Sequence, residues 1–276
     1  MTRTLHVETW GDEGAPRVVC LHGVTGRGAG WHRLAKGRLE DYYVLAPDLI
    51  GHGASPYAPP WSIAEHLDAI VATVGAEPAV WIGHSYGARL ALELAARQPE
   101  LVERLVLLDP AILLDAEIAL HVAELAREDR SYASFDEGVE RRFEESGLQR
   151  TPKASVVEDL DGFLVADHDG RWRYRYSQAA VVASYGEMSS APPPFEDVRI
   201  PTLLVLAEGS YVRYDDLLDA HRAALGDLLE VVTVPGGHTV LWDALEETSS
   251  AIAAFIRDER KRAEHRSGTW LKPGAR

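Results

Sequence analysis

The sequence contains a single cysteine, few methionines and far fewer basic than acidic residues. With only Cys20 among 276 residues, no intrachain disulfide can form, and the fold does not depend on an oxidising compartment. The net charge of −15 at pH 7 argues against nucleic acid and against an anionic membrane surface as partners. No apolar run reaches transmembrane length, and the first residues lack the apolar segment of a secretory signal. We therefore expect a cytoplasmic protein without a membrane partner.

Motifs for metal and nucleotide binding are also missing. There is no His-x-x-x-His motif, no cysteine pair and no Asp-rich loop, so we expect no metal site. The glycine-rich stretch 22–28 lacks both the Gly-Lys-Ser/Thr ending of a phosphate-binding loop and the Gly-x-Gly-x-x-Gly spacing of a dinucleotide site. We accordingly expect a protein that works without a cofactor.

Strand and helix patterns alternate through the first 108 residues. Hydrophobic residues make up 46% of the chain and charged residues 26%, as in ordinary globular proteins. The patterns predict strands at 3–10, 17–21, 42–46, 80–82 and 104–108, and helices at 31–40, 62–74 and 86–97. This order indicates an α/β fold with a mostly parallel, doubly wound sheet.

The alternation stops after Asp109-Pro110. From Ile112 to Phe195 we predict no buried strand, but helices at 115–127 and 134–147, and hence a mostly helical cap inserted into the core. The sheet resumes with a strand at 202–206, a helix at 215–225, a strand at 229–234 and a last helix at 242–262. The predicted organisation is therefore core (1–111), cap (112–195), core (196–262) and a C-terminal tail (263–276).

A Gly-x-Ser-x-Gly pattern, Gly83-His84-Ser85-Tyr86-Gly87, joins a short apolar strand to a helix. This arrangement is typical of a nucleophile elbow, in which a serine occupies a sharp strand-to-helix turn. The chain segments on either side of such a turn run so close that side chains at the two glycine positions would clash. The pattern predicts Ser85 as the nucleophile, and the free N–H groups of the following helix point toward the space where an oxyanion would form.

A serine hydroxyl needs a general base, and the base needs an orienting acid. After an elbow of this type the chain order is serine, acid, histidine. His238 lies in the turn Gly236-Gly237-His238 after the last predicted strand, and we predict it to be the base. The other histidines lie in helices, strands, the cap, the tail or earlier loops, and His84 is expected to point away from the site.

Four motifs together resemble the α/β-hydrolase fold superfamily, and its capped esterase, epoxide hydrolase and dehalogenase-like branch in particular. They are, in chain order, Leu21-His22-Gly23, the stretch Asp48 to Gly53, the elbow Gly83 to Gly87, and Gly236-Gly237-His238. The resemblance spans residues 21–243. Epoxide hydrolases and haloalkane dehalogenases use an aspartate nucleophile where this chain has Ser85, so neither activity is expected.

The resemblance also implies further site residues. The residue after His-Gly and the residue after the nucleophile supply the oxyanion-hole amides in this family, and these positions are Val24 and Tyr86 here. Asp48 and His52 lie in the loop that braces the His-Gly turn, and their expected role is structural.

The acid is the triad member for which several candidates remain. Many relatives carry it in the turn after the strand at 202–206, where this chain has Ser210. Others place it at the end of the strand before the cap, where this chain has Asp109. We predict Asp109 as the acid, because a carboxylate at the mouth of the strand beside the serine strand can reach His238. Asp215, Asp216 and Glu208 remain alternatives.

The expected activity is that of a serine hydrolase acting on a small carboxylic ester or lactone. The same triad also performs C–C bond hydrolysis, perhydrolysis and cyanohydrin cleavage, and a low-turnover ligand-binding relative is a further alternative. The basic and aromatic stretch Arg171–Tyr176 is interpreted as a basic face of the cap over the acidic body, with a substrate pocket as the alternative. An interaction role for Trp270-Leu271 in the tail is less favoured. The oligomeric state is left open.

Overall fold

The computed structural model describes residues 3–258, and the tail at 263–276, with Trp270-Leu271, lies outside them. The part of the core before the cap contains, in order, β1 (Val7–Trp10), β2 (Arg17–Leu21), α1 (His32–Gly37), β3 (Tyr43–Pro47), α2 (Ile63–Val74), β4 (Ala79–His84), α3 (Tyr86–Arg97) and β5 (Val102–Leu108). The middle segment contains α4 (Ala116–Arg127), β6 (Ser131–Tyr132), α5 (Phe135–Ser146), α6 (Lys153–Leu160), β7 (Leu164–Ala166), β8 (Trp172–Tyr174) and α7 (Gln178–Ser189). The last part contains β9 (Thr202–Ala207), α8 (Asp215–Leu225), β10 (Leu229–Val234), α9 (Val240–Asp243) and α10 (Leu245–Arg257).

The central sheet has seven strands in the order β1-β3-β2-β4-β5-β9-β10. Only β1 runs antiparallel to its neighbour within this sheet, and the remaining pairs are parallel. The predicted α/β class and mostly parallel sheet are thus confirmed. Because carboxyl ends of parallel strands meet at one edge, the loops after β2, β4, β5 and β10 come together there.

Alternate residues of the central strands enter two separate hydrophobic layers, one on each face of the sheet. In β2, Val19 and Leu21 face one layer, while Val18 and Cys20 face the other. Such two-sided burial explains why this strand is a continuous apolar run. Cys20 is fully buried, and its burial raises the pKa of the thiol. Cys20 is therefore a thiol of the hydrophobic core.

The segment between β5 and β9 differs from the prediction in two respects. It contains the predicted helices α4 and α5, but also two further helices, α6 and α7. It also contains a three-stranded antiparallel sheet in the order β6-β8-β7. The expectation of a segment without a buried strand was therefore wrong. Strands of two or three residues are too short to show a period, and β6 pairs with β8 across α5, α6 and β7. The segment also has a hydrophobic cluster of its own, formed by Tyr132, Val139, Val156, Leu160, Phe163, Leu164 and Tyr174. Its division from the core at residues 112 and 195 stays a proposal, and we call 112–195 the cap.

The last predicted helix is also different. The structure has two helices, α9 and α10, separated at Ala244 (φ −139°, ψ 46°), instead of one helix that starts at Trp242. Asp243 immediately precedes the break, and its carboxylate accepts hydrogen bonds from the backbone of the cap. Within residues 3–258, no helix combines the length and the apolar character needed to cross a membrane.

Candidate active site

Ser85 occupies a strained turn between β4 and α3. Its backbone has φ 54° and ψ −116°, a positive φ that few non-glycine residues adopt. A Cβ on Gly83 would lie 2.3 Å from the carbonyl oxygen of Gly87, and one on Gly87 would lie 2.1 Å from that of Leu21. Both positions therefore require glycine. At Gly83 the clash is with the chain that follows the turn, as inferred from the sequence, whereas at Gly87 it is with the end of β2.

Two backbone amides flank this serine. Tyr86 is the first residue of α3, and its N–H has no partner within the helix because the first amides of a helix never do. The residue is fully buried. Val24 lies in the loop after β2 and lines the same cavity as Ser85. Gly23 allows this loop to lie close to the nucleophile, because a Cβ at this position would come within 2.9 Å of the Ser85 Cβ. The two amide positions expected for an oxyanion hole thus lie on the two chain segments next to the serine.

His238 and Asp109 form a buried pair. The His238 Nδ1 is 2.6 Å from the Asp109 Oδ2, and the two side chains are 9% and 3% exposed. His238 lines the cavity that also contains Ser85. The three residues follow three different strands, β4 for Ser85, β5 for Asp109 and β10 for His238, and the parallel sheet brings them to one edge.

Ser210, which stands where many relatives carry the acid, contacts Asp109 in this structure. Its hydroxyl donates a hydrogen bond to the Asp109 Oδ2, and the amide of Ala207 donates to the Oδ1 at 2.9 Å. Asp109 itself has φ 39°, so its backbone is strained like that of the serine. Both oxygens of the carboxylate are therefore fixed by β9 and the loop after it, next to β5 in the sheet.

The alternative acids lie elsewhere. Asp215 and Asp216 are exposed in the first turn of α8, and Glu208 is exposed after β9. Among the carboxylates of residues 3–258, that of Asp109 is the one within ion-pair distance of His238. The geometry thus favours Asp109 as the orienting group.

His84 does not point away from the site, and that prediction was wrong. Its Nε2 donates to the His238 carbonyl oxygen at 2.9 Å, and the two rings lie 4.9 Å apart. Burial, followed by the charge of His238, lowers the pKa of His84 to about 4. His84 is therefore neutral near pH 7 and supports the loop that carries the candidate base. No local pattern indicates this contact, because His238 is distant from His84 in the chain.

The loop after β3 braces the loop after β2, as expected for Asp48 and His52. The Asp48 carboxylate accepts hydrogen bonds from the amides of Gly28 and Ala54, at 2.7 and 2.9 Å. The His22 Nε2 accepts one from the Leu49 amide at 2.9 Å. Burial lowers the pKa of His22 to about 4 and that of His52 to about 3, so both rings are neutral and act as parts of the scaffold.

A cavity of about 170 Å³ lies above Ser85 and is closed partly by the cap. Three arginines in its wall, Arg27, Arg130 and Arg142, were not recognised from the sequence. Arg27 follows the oxyanion loop closely in the chain, so its position offered a signal. Arg130 and Arg142 enter through the folding of the cap, which no local pattern describes.

The stretch Arg171–Tyr176 does not line this cavity, so the alternative of a substrate pocket there is wrong. Its middle forms β8, the central strand of the cap sheet. Arg173 pairs with Asp167 and Asp169, and Arg171 donates to Ser131. Arg171 and Arg173 therefore bind groups of the cap itself. Arg175 instead lies against the core, in the wall of a second, smaller pocket that also contains Glu8 and Asp48. The prediction of a basic face over the acidic core thus holds for Arg175 and not for Arg171 and Arg173. In the part of the chain that the structure describes, no group of three His, Cys, Asp or Glu side chains has the arrangement of a metal site.

Comparisons with known proteins agree with this architecture. The sequence profile of the alpha/beta hydrolase family matches residues 18–251. Lipase LipV of Mycobacterium tuberculosis is 37% identical over 259 residues, which cover 92% of this chain and 96% of the lipase. The 2-(acetamidomethylene)succinate hydrolase of Mesorhizobium japonicum is 29% identical, over 92% of this chain and 91% of its own.

The solved structures show the same fold. The crystal structure of E-2-(acetamidomethylene)succinate hydrolase superposes with a TM-score of 0.82 at 24% identity, over 91% of this chain and 94% of that one. The family profile covers most of the chain, and the lipase matches nearly all of it. The chain belongs to the alpha/beta hydrolase family and is an enzyme of the hydrolase class.

Proposed function

We propose that this hydrolase cleaves small carboxylic esters or lactones through an acyl-enzyme on Ser85. The observation that carries the proposal is the buried contact between Asp109 and His238, at 2.6 Å, on the cavity that contains the strained Ser85. A positioned serine, base and acid is the arrangement that acyl transfer requires. The names of the relatives support an ester substrate, because LipV is called a lipase.

In the first half of the reaction, the Ser85 hydroxyl attacks the substrate carbonyl while His238 accepts its proton through Nε2. Asp109 binds the Nδ1 side of the ring, which fixes the tautomer and stabilises the imidazolium. The amides of Val24 and Tyr86 donate to the developing oxyanion, and one such donor contributes roughly 3 kcal/mol to the stability of the transition state. His238 then gives its proton to the leaving alcohol.

In the second half, a water molecule attacks the acyl group on Ser85. His238 accepts a proton from that water, and the tetrahedral intermediate again places its negative oxygen near Val24 and Tyr86. Collapse of the intermediate releases the acid and returns the proton to Ser85. No step requires a metal or an organic cofactor. A cytoplasmic location stays a prediction, as does a small ester-like molecule as the substrate.

The test compares the wild type with Ser85→Ala in turnover of p-nitrophenyl acetate and in labelling by a fluorophosphonate probe. We expect the variant to lose both, because the attacking oxygen is gone. Ser250→Ala, at an exposed position of α10, serves as the matched control and should retain both. Labelling of Ser85→Ala at another residue, with turnover intact, would contradict the proposal.

A further inference from the structure

Arg142 of α5 projects into the wall of the cavity above Ser85 and is almost fully buried, with 8% exposure. Its guanidinium lies between two aromatic rings, 5.3 Å from the centroid of Tyr174 in the cap and 5.1 Å from that of Trp242 in α9. These rings fix the plane of the guanidinium by cation–π contact. The side chain is therefore held in one position at the boundary between cap and core.

Arg142 has no carboxylate partner among residues 3–258. Its one hydrogen bond there is a long one, 3.5 Å from Nη2 to the carbonyl oxygen of Thr25, and its Nε has no partner. A guanidinium has five N–H donors, so most of its donors are unused. Burying a cation without an anion is costly, and this points to an anion supplied by a ligand.

The other charges of the cavity wall are already engaged. Glu145 pairs with Arg130 at 3.6 Å and accepts a hydrogen bond from Tyr132. Asp159 pairs with Arg33 at 2.6 Å. These two carboxylates are therefore not available to neutralise Arg142.

Arg27 adds a second cation to the same wall. It donates to the carbonyl oxygens of Asp159 and Asp161, at 2.8 and 2.7 Å, and it lies over the ring of Phe163. The wall thus contains three arginines against two carboxylates, and the acidic chain presents a locally basic cavity to its substrate.

We propose that Arg142 binds a free carboxylate of the substrate, so that the esters cleaved here carry a second, ionised carboxyl group. The planar guanidinium can hold both oxygens of a carboxylate with two parallel hydrogen bonds. Thr25, which Arg142 contacts, directly follows Val24, so the bound anion lies beside the loop that supplies an oxyanion amide. This inference names the substrate class of the proposed ester hydrolase and rests on that function.

The test uses two pairs of esters that differ by a carboxylate. Phenyl hemisuccinate and phenyl butyrate vary the acyl side, and 4-acetoxybenzoate and phenyl acetate vary the alcohol side. In at least one pair, we expect Arg142→Met to lower kcat/KM for the carboxylate ester more than for its neutral partner. The difference between the two reductions should be about tenfold or more. Arg142→Lys keeps the positive charge but cannot form two parallel hydrogen bonds to a carboxylate. Its kcat/KM for the carboxylate ester should lie between the values of the wild type and Arg142→Met.

Arg141→Met is the matched control. Arg141 is the neighbouring residue on α5, half-exposed and paired with Glu144, so its replacement removes the same charge outside the cavity. The ratio of kcat/KM between the esters of a pair should stay at the wild-type value. An equal change in Arg141→Met and Arg142→Met, or no change of the ratio in either pair, would overturn the proposal.

A binding measurement separates this inference from the proposed function. Ser85→Ala cannot form the acyl-enzyme, so calorimetric titration with phenyl hemisuccinate and 4-acetoxybenzoate reports binding alone. If Ser85→Ala binds either ester and the double variant Ser85→Ala/Arg142→Met does not, the anion site is supported. This holds even if the wild type cleaves no ester. Ester cleavage by the wild type, with no Arg142-dependent binding or preference, leaves the proposed function standing and removes the anion site.

Discussion

The two sides of the cavity are built in different ways. On the core side, Ser85, Asp109 and the loop of Val24 are placed by backbone geometry, with positive φ values at Ser85 and Asp109 and glycines that no other residue can replace. On the cap side, Arg142 and its neighbours are placed by side-chain packing between short elements. The chemistry of the site therefore depends on local rules of the chain, and its selectivity depends on tertiary contacts.

Removal of the acid tests the core side most severely. Asp109→Asn keeps the shape of the side chain but cannot stabilise the imidazolium of His238, and we expect kcat for p-nitrophenyl acetate to fall by about 10⁴-fold with the fold intact. Asp215→Asn, at an exposed position of α8, should leave kcat unchanged. If Asp215→Asn produced the large loss instead, the assignment of the acid would be wrong.

A single methyl group at Gly23 tests the placement by backbone. In Gly23→Ala the new Cβ would meet the Ser85 Cβ at 2.9 Å and the His84 Nδ1 at 3.1 Å. The resulting shift of the nucleophile should lower kcat/KM by about 10²-fold. Gly37→Ala in α1, where a Cβ meets nothing within 4 Å, is the control. Equal activities of the two variants would show that the loop tolerates the displacement.

Asp243 connects the two sides of the cavity. Its carboxylate accepts hydrogen bonds from the Gln149 and Arg150 amides, the Thr151 hydroxyl and the Gly237 amide beside His238. Asp243→Asn replaces one acceptor oxygen by a donor, so we expect urea unfolding at pH 7 to show a loss of about 1–3 kcal/mol. Glu247→Gln, at a half-exposed position of α10, should show no comparable loss.

The stability difference between the wild type and Asp243→Asn depends on pH through the pKa of Asp243. Burial raises this pKa, but the hydrogen bonds from Thr151, Arg150, Gly237 and Gln149 outweigh it and lower the pKa below its ordinary value of 3.8. The unfolded chain then binds the proton more tightly, so the stabilisation is complete above the ordinary value and declines as the pH falls through the lowered pKa. Wild type and Asp243→Asn should therefore converge in stability in acid. A constant difference down to pH 2 would contradict this account.

The smallest effect is a rescue. Ser210 already donates to the Asp109 carboxylate, so Asp109→Asn combined with Ser210→Asp returns a carboxylate to the neighbourhood of His238. We expect the double variant to regain about tenfold of the activity that Asp109→Asn loses. Ser210→Asn in the same background supplies no charge and should regain nothing. Equal activities of the two double variants would show that the acid cannot move between these strands.

The sequence predicted the core side well for a physical reason. The bounds of β2, α3, α8 and β10 agree with the predicted strands and helices, because apolar runs and apolar residues at helical spacing are local patterns. Gly83 is required by a contact with Gly87, close in the chain, so that a short pattern reveals the elbow. The chain order then led to His238 without any knowledge of tertiary structure.

The cap resisted prediction because its determinants are distant in the chain. The strands β6 and β8 are separated by about forty residues, by the numbering of their paired positions Ser131 and Arg173, and each is too short to show a period. Arg142 reads from the sequence as one more charged residue of a polar helix, and only its burial between Tyr174 and Trp242 distinguishes it from Arg141. The contact between the rings of His84 and His238 likewise joins residues that are distant in the chain.

The most direct test of the central claim is to trap the intermediate. Wild-type enzyme is quenched with acid during turnover of p-nitrophenyl acetate, digested, and analysed by peptide mass spectrometry. We predict one added acetyl group on the peptide that contains Ser85. Rapid turnover with the acetyl group on another residue, or with no acetylated peptide while Ser85→Ala remains active, would contradict it.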